Sequence, residues 1–398
     1  MTILLLSDIF PPQIGGSGRW LWELHRRLSA QVHVVATDTP GAAEFDARSN
    51  LAIERQPLHF SNWGLFDPRG GLQYARALVR LGRTAARVRP DAIHTARCLP
   101  EGLLALLFKA RRGVPYSCFA HGEELTLATA ASSELRFLTK RVLRGATSII
   151  ANTEHTRELI VQTFQVPEEK VLVLHPGVDV GRFTPVPPDL RVRQELGWTD
   201  RRVVLTVGAL QKRKGQDTMI RALPAIRRRC PDVLYAMIGE GWERPYLDKL
   251  VADHGVADVV QFRGTPNDDE MIRCYQQCDL FALPNRQVGW DIEGFGIVLI
   301  EAQACGKAVV AGSSGGTREA VEAGRSGEIV NCESPETVAD VISTLLENPD
   351  RCESLGSRGR QWVLERFDWS ILSRKAAQLL VRENPRQHHP GPSIQNSA

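Results

Sequence analysis

Residues 176–188 read PGVDVGRFTPVPP. Prolines and glycines interrupt the apolar periodicity here, so the stretch reads as a linker. On its N-terminal side, Ile3–Ser7, Val32–Ala36, Ala92–His94, Tyr116–Ala120 and Ser148–Ala151 are short apolar runs of strand type. Amphipathic helical patterns lie between them, from about Arg19 to Ser29, at 72–88 and at 133–144. On its C-terminal side the alternation resumes, with strands at Val203–Val207, Val233–Ile238, Val259–Phe262, Leu280–Leu283 and Ala308–Ala311. Strands alternating with helices build a parallel sheet covered on both faces. A chain of 398 residues exceeds what one core supports, about 250–300 residues. The expected fold is therefore α/β: two doubly wound Rossmann-like domains facing a central cleft, over residues 1–186 and 187–368. Residues 385–398, rich in Pro, His, Ser and Asn, read as a disordered tail.

Composition narrows the function classes. Hydrophobic residues make up 43% and charged residues 24%, as in ordinary soluble domains. Purely apolar runs reach only six residues, as at Leu103–Phe108, against the roughly 20 that span a bilayer. The opening MTILLLSDIF lacks a basic segment and a small-residue cleavage site, and reads as a buried first strand rather than a signal peptide. Eight cysteines show no C-x2-C pair, so the expectation is reduced thiols in a cytosol, with neither zinc site nor disulfide framework. The net charge of +3 divides into +5 over residues 1–186 and −2 beyond. That asymmetry favours an anionic partner for the first half. The basic excess is small and carries no nucleic-acid motif.

Four segments carry chemistry. In EGFGIVLIEAQACG (293–306), Gly294 and Gly296 leave the backbone bare where a helix begins. Free amides and positive partial charge at a helix start suit a diphosphate. Glu293 precedes that start and Glu301 lies about two turns in. As bidentate acceptors they could grip two polyols, a sugar and a ribose, on either side of a diphosphate. A capped helix with surface glutamates fits those residues equally well. In GALQKRKG (208–215), Lys212, Arg213 and Lys214 follow a strand, where open α/β sheets bind ligands; a solvated basic turn reads the same way. Gly15-Gly16-Ser17-Gly18 occupies a strand-to-helix loop but matches neither the dinucleotide nor the P-loop spacing. His121, in AHGEE (120–124), ends a strand at the expected cleft; a lone histidine there can equally be structural.

In order and spacing, the chain resembles the family-4 glycosyltransferases of GT-B architecture. The matching stretches are PPQIGGSGRW (11–20), AHGEEL (120–125), ANTEHTRELI (151–160), HPGVDVGRFTP (175–185), VGALQKRKGQDT (207–218), IGEGWER (238–244), VQFRGTPNDDEM (260–271) and IEGFGIVLIEAQACGKAVVAGSSGGTREAV (292–321), covering most of residues 1–370. The resemblance implies a C-terminal helix over 369–384 that returns to the first domain. It implies that Glu293 contacts the transferred sugar, Glu301 the ribose, and Lys214 the diphosphate together with the backbone of Gly296 and Ile297, with Gly294 and Phe295 also in the donor site. Gly16 would let the first domain approach the phosphates, His121 would sit beside the reacting carbon, and Arg263 and Gly264 would lie near the base. The chain departs from the family at Ala209, where an arginine is usual. Lys212 or Arg213 would then replace that cation.

The resemblance further implies retention of anomeric configuration, no cofactor beyond the nucleotide-sugar co-substrate, and no metal. The nearest approach to a D-x-D triad is Asp291-Ile292-Glu293. RKGQDT (213–218) and DIEGFGIVLIEAQACG (291–306) are similar to the branch that mannosylates phosphatidylinositol-type lipids from GDP-mannose. The expected activity is therefore transfer of a hexose, from GDP-mannose or a UDP-hexose, to a hydroxyl of a lipid, glycan or small molecule. Arg76, Arg80, Arg83 and Arg87 recur at helical spacing and LRFLTKRVLR (135–144) is basic and amphipathic. Such faces either meet an anionic membrane or are simply solvated. The expected location is cytoplasmic, peripheral on the inner face of the membrane if the first reading holds. Rival readings are a nucleotide-sugar 2-epimerase, which would lack the EGFG…E segment, and a weakly active sugar-nucleotide binder, suggested by Ala209.

Overall fold

The computed structural model describes residues 1–13 and 15–381; the tail from Pro385 lies outside them. The first sheet contains β1 (Thr2–Ser7), β2 (Gln31–Ala36), β3 (Ala52–Arg55), β4 (Ala92–Thr95), β5 (Tyr116–Ala120), β6 (Ser148–Ala151) and β7 (Val171–Val173). The second contains β8 (Arg202–Val207), β9 (Val233–Ile238), β10 (Val260–Phe262), β11 (Leu280–Leu283), β12 (Val309–Gly312) and β13 (Glu328–Val330). Their orders are β3-β2-β1-β4-β5-β6-β7 and β10-β9-β8-β11-β12-β13. Every pairing within the two sheets is parallel. The doubly wound expectation is thus met twice.

The strands absent from the sequence reading are β3, β7 and β13. All three are sheet edges. Edge strands bury one flank, so short or polar sequences such as AIER and EIV serve. Interior strands such as LFAL of β11 are buried throughout and read as apolar runs. Helix boundaries also shift: the first helix is Gly16–His25 rather than Arg19–Ser29, and the 72–88 pattern begins at Pro68. There Asp67 caps the helix by accepting from Arg69 N, with Pro68 in the first turn.

Each sheet carries an apolar cluster on both faces. The helix Trp369–Val381 follows the second domain in sequence, yet Trp369, Leu372, Ala376 and Leu380 pack with Ile3, Leu5, Trp20 and Phe119 of the first. Val178 N donates to Phe367 O (2.9 Å), so the two chain crossings between domains run side by side. In each sheet the strand order reverses beside its first strand, between β1 and β4 and between β8 and β11. The loops leaving these strands are where such sheets take ligands.

Candidate active site

The loop after β8 meets the loop after β11. Gly215 has φ +75°, and a Cβ there would stand 1.8 Å from Pro284 O; only glycine permits that approach. It brings the turn Lys212–Lys214 beside Glu293. Lys214 Nζ lies 2.7 Å from Glu293 Oε2, and Arg213 Nη1 donates to the same oxygen. Arg213 Nη2 reaches Glu123 Oε2 of the first domain at 3.2 Å. Its Nε lies 3.0 Å from Asp291 Oδ1, an ion pair off the N–H direction rather than a hydrogen bond. Glu293 is only 7% exposed. Burial pushes its carboxyl up, but Lys214 and Arg213 outweigh this and hold it below the usual range. A buried carboxylate is thus kept ionised by two cations.

Gly296, in the left-handed region (φ +83°), starts the helix Ile297–Ala304. Gly294 lies against the first domain: a Cβ there would be 2.5 Å from His121 O. Ile297 packs against apolar clusters of both domains, and Gly16 stands opposite it, with Ile297 Cδ1 3.3 Å from where a Cβ would be. Glu301, 5% exposed, accepts from Tyr275 Oη at 2.8 Å. Arg19, from the first domain, lies 3.7 Å from its other oxygen and 3.8 Å from Asp268. Burial raises the Glu301 carboxyl; Arg19 and the Tyr275 hydroxyl partly offset it.

His121 closes the site from the first domain. Its Nε2 lies 2.8 Å from Ala96 O, and its ring meets Trp20 edge-on at 5.3 Å. A carbonyl can only accept, so Nε2 carries the proton and Nδ1 is left as an acceptor. Burial pulls the imidazole down to about 4, so the ring is neutral at physiological pH. Asn152 Nδ2 donates to His121 O (3.1 Å), and His121 N donates to Glu124 Oε1 (2.8 Å).

Lys214, Glu293, Gly294, Gly296, Ile297, Gly16 and His121 therefore converge, with Glu301 further along the helix. Phe295 does not present its ring: it is buried against His175 and Phe367. The guanidinium of Arg263 is committed to Leu196 O (3.0 Å) and Glu270 (2.7 Å). Gly264, φ +61°, accepts from Gly239 N through its carbonyl (2.7 Å). Lys212 is exposed, while Arg213 is held by three carboxylates. Ala209 is exposed on the loop, its carbonyl held by Gln216 Nε2 (3.1 Å). Sequence reading missed Arg19, Glu123, Tyr275 and Asp291 as site neighbours. Arg19 and Glu123 lie inside quoted motifs, but nothing local says which way they reach. Among the described residues, no cluster of three or more His, Cys, Asp or Glu is placed to hold a metal ion.

Two parallel-sheet domains with this cluster between their facing edges define a two-domain enzyme of GT-B architecture. Residues 14–182 match the model of Glycosyltransferase Family 4, and residues 190–362 that of Glycosyl transferases group 1. The chain belongs to this glycosyltransferase family. It is 34% identical to the GDP-mannose-dependent alpha-(1-6)-phosphatidylinositol monomannoside mannosyltransferase of Mycobacterium tuberculosis, over 95% of this chain and 97% of that one. It is 33% identical to the D-inositol 3-phosphate glycosyltransferase of Thermobispora bispora, over 79% and 76%. In fold it resembles Anabaena HepE in complex with UDP-glucose, with a TM-score of 0.82 at 24% identity over 96% of this chain and all of that one.

Proposed function

We propose that this glycosyltransferase moves mannose from GDP-mannose, with retention of configuration and without a metal, to a hydroxyl of a lipid-linked polyol. The observation that carries the donor half is the buried, ionised Glu293 beside Lys214 at the start of the helix Ile297–Ala304. The diphosphate lies at the free amides of Gly296 and Ile297, with Lys214 against its oxygens. Glu293 accepts from sugar hydroxyls and Glu301 from the ribose, where Arg19 partly offsets the effect of burial on the Glu301 carboxyl. In a front-face displacement the bond from the anomeric carbon to the diphosphate oxygen breaks as the acceptor oxygen bonds to that carbon. The departing phosphate oxygen takes the acceptor proton. Catalysis is then mainly electrostatic stabilisation of the leaving group. The choice of GDP-mannose over a UDP-hexose is supported by the named donor of the mycobacterial relative.

The lipid half is supported by the surface. Phe66 is 83% exposed, and Leu72, Val79 and Phe137 are also exposed. Glu134 accepts from Leu65 N and Phe66 N, which fixes this loop beside the helix Ser133–Gly145. Arg76, Arg83, Arg136 and Arg141 are exposed around them. Apolar side chains framed by cations suit an anionic bilayer surface. Among the described residues no helix is long and apolar enough to cross a membrane.

The test is a thermal-shift screen of GDP- and UDP-sugars, followed by transfer to phosphatidylinositol-containing vesicles with chelator present. A stabilising donor, release of its nucleoside diphosphate and an α-linked product are expected. An inverted product, or loss of transfer in chelator, overturns the corresponding part. Phe66→Ser with Phe137→Ser should abolish vesicle co-sedimentation; retained sedimentation removes the membrane reading.

A further inference from the structure

We propose that Arg19 of the first domain completes the ribose subsite: the ribose hydroxyl that donates to Glu301 accepts from Arg19, so both domains read the donor's nucleoside at once. This rests on the placing of the ribose at Glu301 in the reading above, and adds a first-domain residue to that subsite.

Glu301 is buried in the helix Ile297–Ala304. Tyr275 Oη donates to its Oε2 at 2.8 Å. Among the described residues, Oε1 accepts no hydrogen bond; its charged neighbour is Arg19 Nη1 at 3.7 Å. That separation is too long for a hydrogen bond. It is instead the base of a triangle that one hydroxyl oxygen fits. Placed about 2.8 Å from each atom, the hydroxyl donates to the carboxylate and accepts from the guanidinium.

Arg19 has N–H groups to give. Among the described residues its guanidinium forms ion pairs but no hydrogen bonds, with Glu301 and, at 3.8 Å, with Asp268. The other carboxylates near it have donors of their own. Asp268 accepts from Arg182 (3.3 Å), and Glu23, one turn along the same helix, accepts from Arg26 and Arg27. The Phe183 ring lies 5.7 Å from Arg19 Cζ and holds the guanidinium from its apolar side. The arginine is thus kept beside Glu301 by charge and ring contact while its hydrogen-bond donors stay available.

The space beside the pair agrees. Arg19 and Glu301 line a cavity of about 290 Å³ between the domains, and Ile297 lines it too. Ile297 starts the helix that receives the diphosphate, and one turn, about 6 Å, separates it from Glu301. The phosphate and the ribose hydroxyls of one nucleotide span a comparable length.

The test titrates the full chain calorimetrically with GDP and with 2′,3′-dideoxy-GDP, which keeps base and phosphates but lacks both ribose hydroxyls. UDP and its dideoxy analogue take their place if UDP is the nucleotide bound. Wild type should favour the hydroxylated nucleotide by about a hundredfold. Arg19→Gln should weaken it by about tenfold and leave the dideoxy analogue unchanged; Arg19→Lys should restore part of the loss. The pH dependence should move as well. Glu301 faces Arg19, Tyr275, Asp268 and Arg182; burial raises its carboxyl, and Arg19 gives the largest offset. Without that charge the carboxyl rises further, so on acidification the glutamine variant should lose nucleotide affinity at a higher pH than wild type. Equal weakening of both nucleotides by Arg19→Gln would assign Arg19 to holding the domains together and overturns the proposal, as does unchanged affinity for both. If wild type binds the two nucleotides alike, the ribose is not at Glu301; that failure belongs to the donor reading, and the proposal falls with it.

Discussion

Glu293 and Glu101 are both buried carboxyls, and their surroundings send them in opposite directions. Glu293 is held ionised by Lys214 and Arg213. Glu293→Gln removes a charged acceptor and leaves those cations unneutralised, so kcat/KM should fall by about a hundredfold or more in an assay of nucleoside diphosphate release; wild-type turnover would remove Glu293 from the site. Lys214→Met should weaken GDP by about tenfold or more while sparing guanosine, which has no phosphate to lose. At Glu101 the charge of Arg97 only partly offsets burial, which pushes the carboxyl up to about 7. A folded-state value above the unfolded one gives a contribution that is full below about pH 4.5 and lost as pH rises through about 7. Glu101→Gln, a neutral mimic, should therefore gain on wild type as pH rises from about 4.5 to about 7 and hold that gain above, by up to about 3 kcal/mol in urea unfolding. A pH-independent difference would show that burial does not shift the Glu101 carboxyl.

At the scale of elements, the contact that ties the domains beside the site is a helix cap borrowed across the cleft. Glu319 of the second domain accepts from Glu154 N (2.8 Å) and His155 N (3.0 Å) at the start of the helix Glu154–Phe164 in the first. It also pairs with His175, just before the linker, at 2.9 Å. Burial raises the Glu319 carboxyl, and these partners outweigh it, leaving the net shift downward. Thr153 caps the same helix locally, accepting from Thr156 N. Glu319→Ala should thus leave the helix formed but speed amide exchange at Glu154 and His155, at a cost of about 1–3 kcal/mol. Unchanged exchange at both amides would mean that the interdomain cap is not made in solution.

For the whole molecule, the two domains are not independent units strung on one linker. The chain crosses at 176–188 and returns next to that crossing, and the helix Trp369–Val381 then completes the first domain's core. Gly177 accommodates this return: a Cβ there would stand 2.8 Å from the Trp369 ring. Trp369→Ala should destabilise the first domain by about 3–5 kcal/mol, read as a separate early transition in calorimetry. A single unshifted transition would contradict the packing.

The linker, the two alternating series and the segment from Glu293 to Glu301 were legible in the sequence because each is local. Apolar runs, glycines at a helix start and the spacing of two glutamates along one helix are set by neighbours in the chain. Three of the four sheet edges, β3, β7 and β13, were not legible, since a strand buried on one flank need not be apolar. Nor were the partners of the charged groups. Arg213 lies next to Lys214 in sequence, yet its fork is committed to Glu123, Asp291 and Glu293 from two distant segments. Arg263, expected near the base, holds Leu196 O and Glu270, partners its spacing does not announce. The sequence by itself determined which residues could carry charge and where helices begin. The tertiary structure decided which charges meet, because long side chains choose partners across the cleft by distance and desolvation, and neither is written in the spacing.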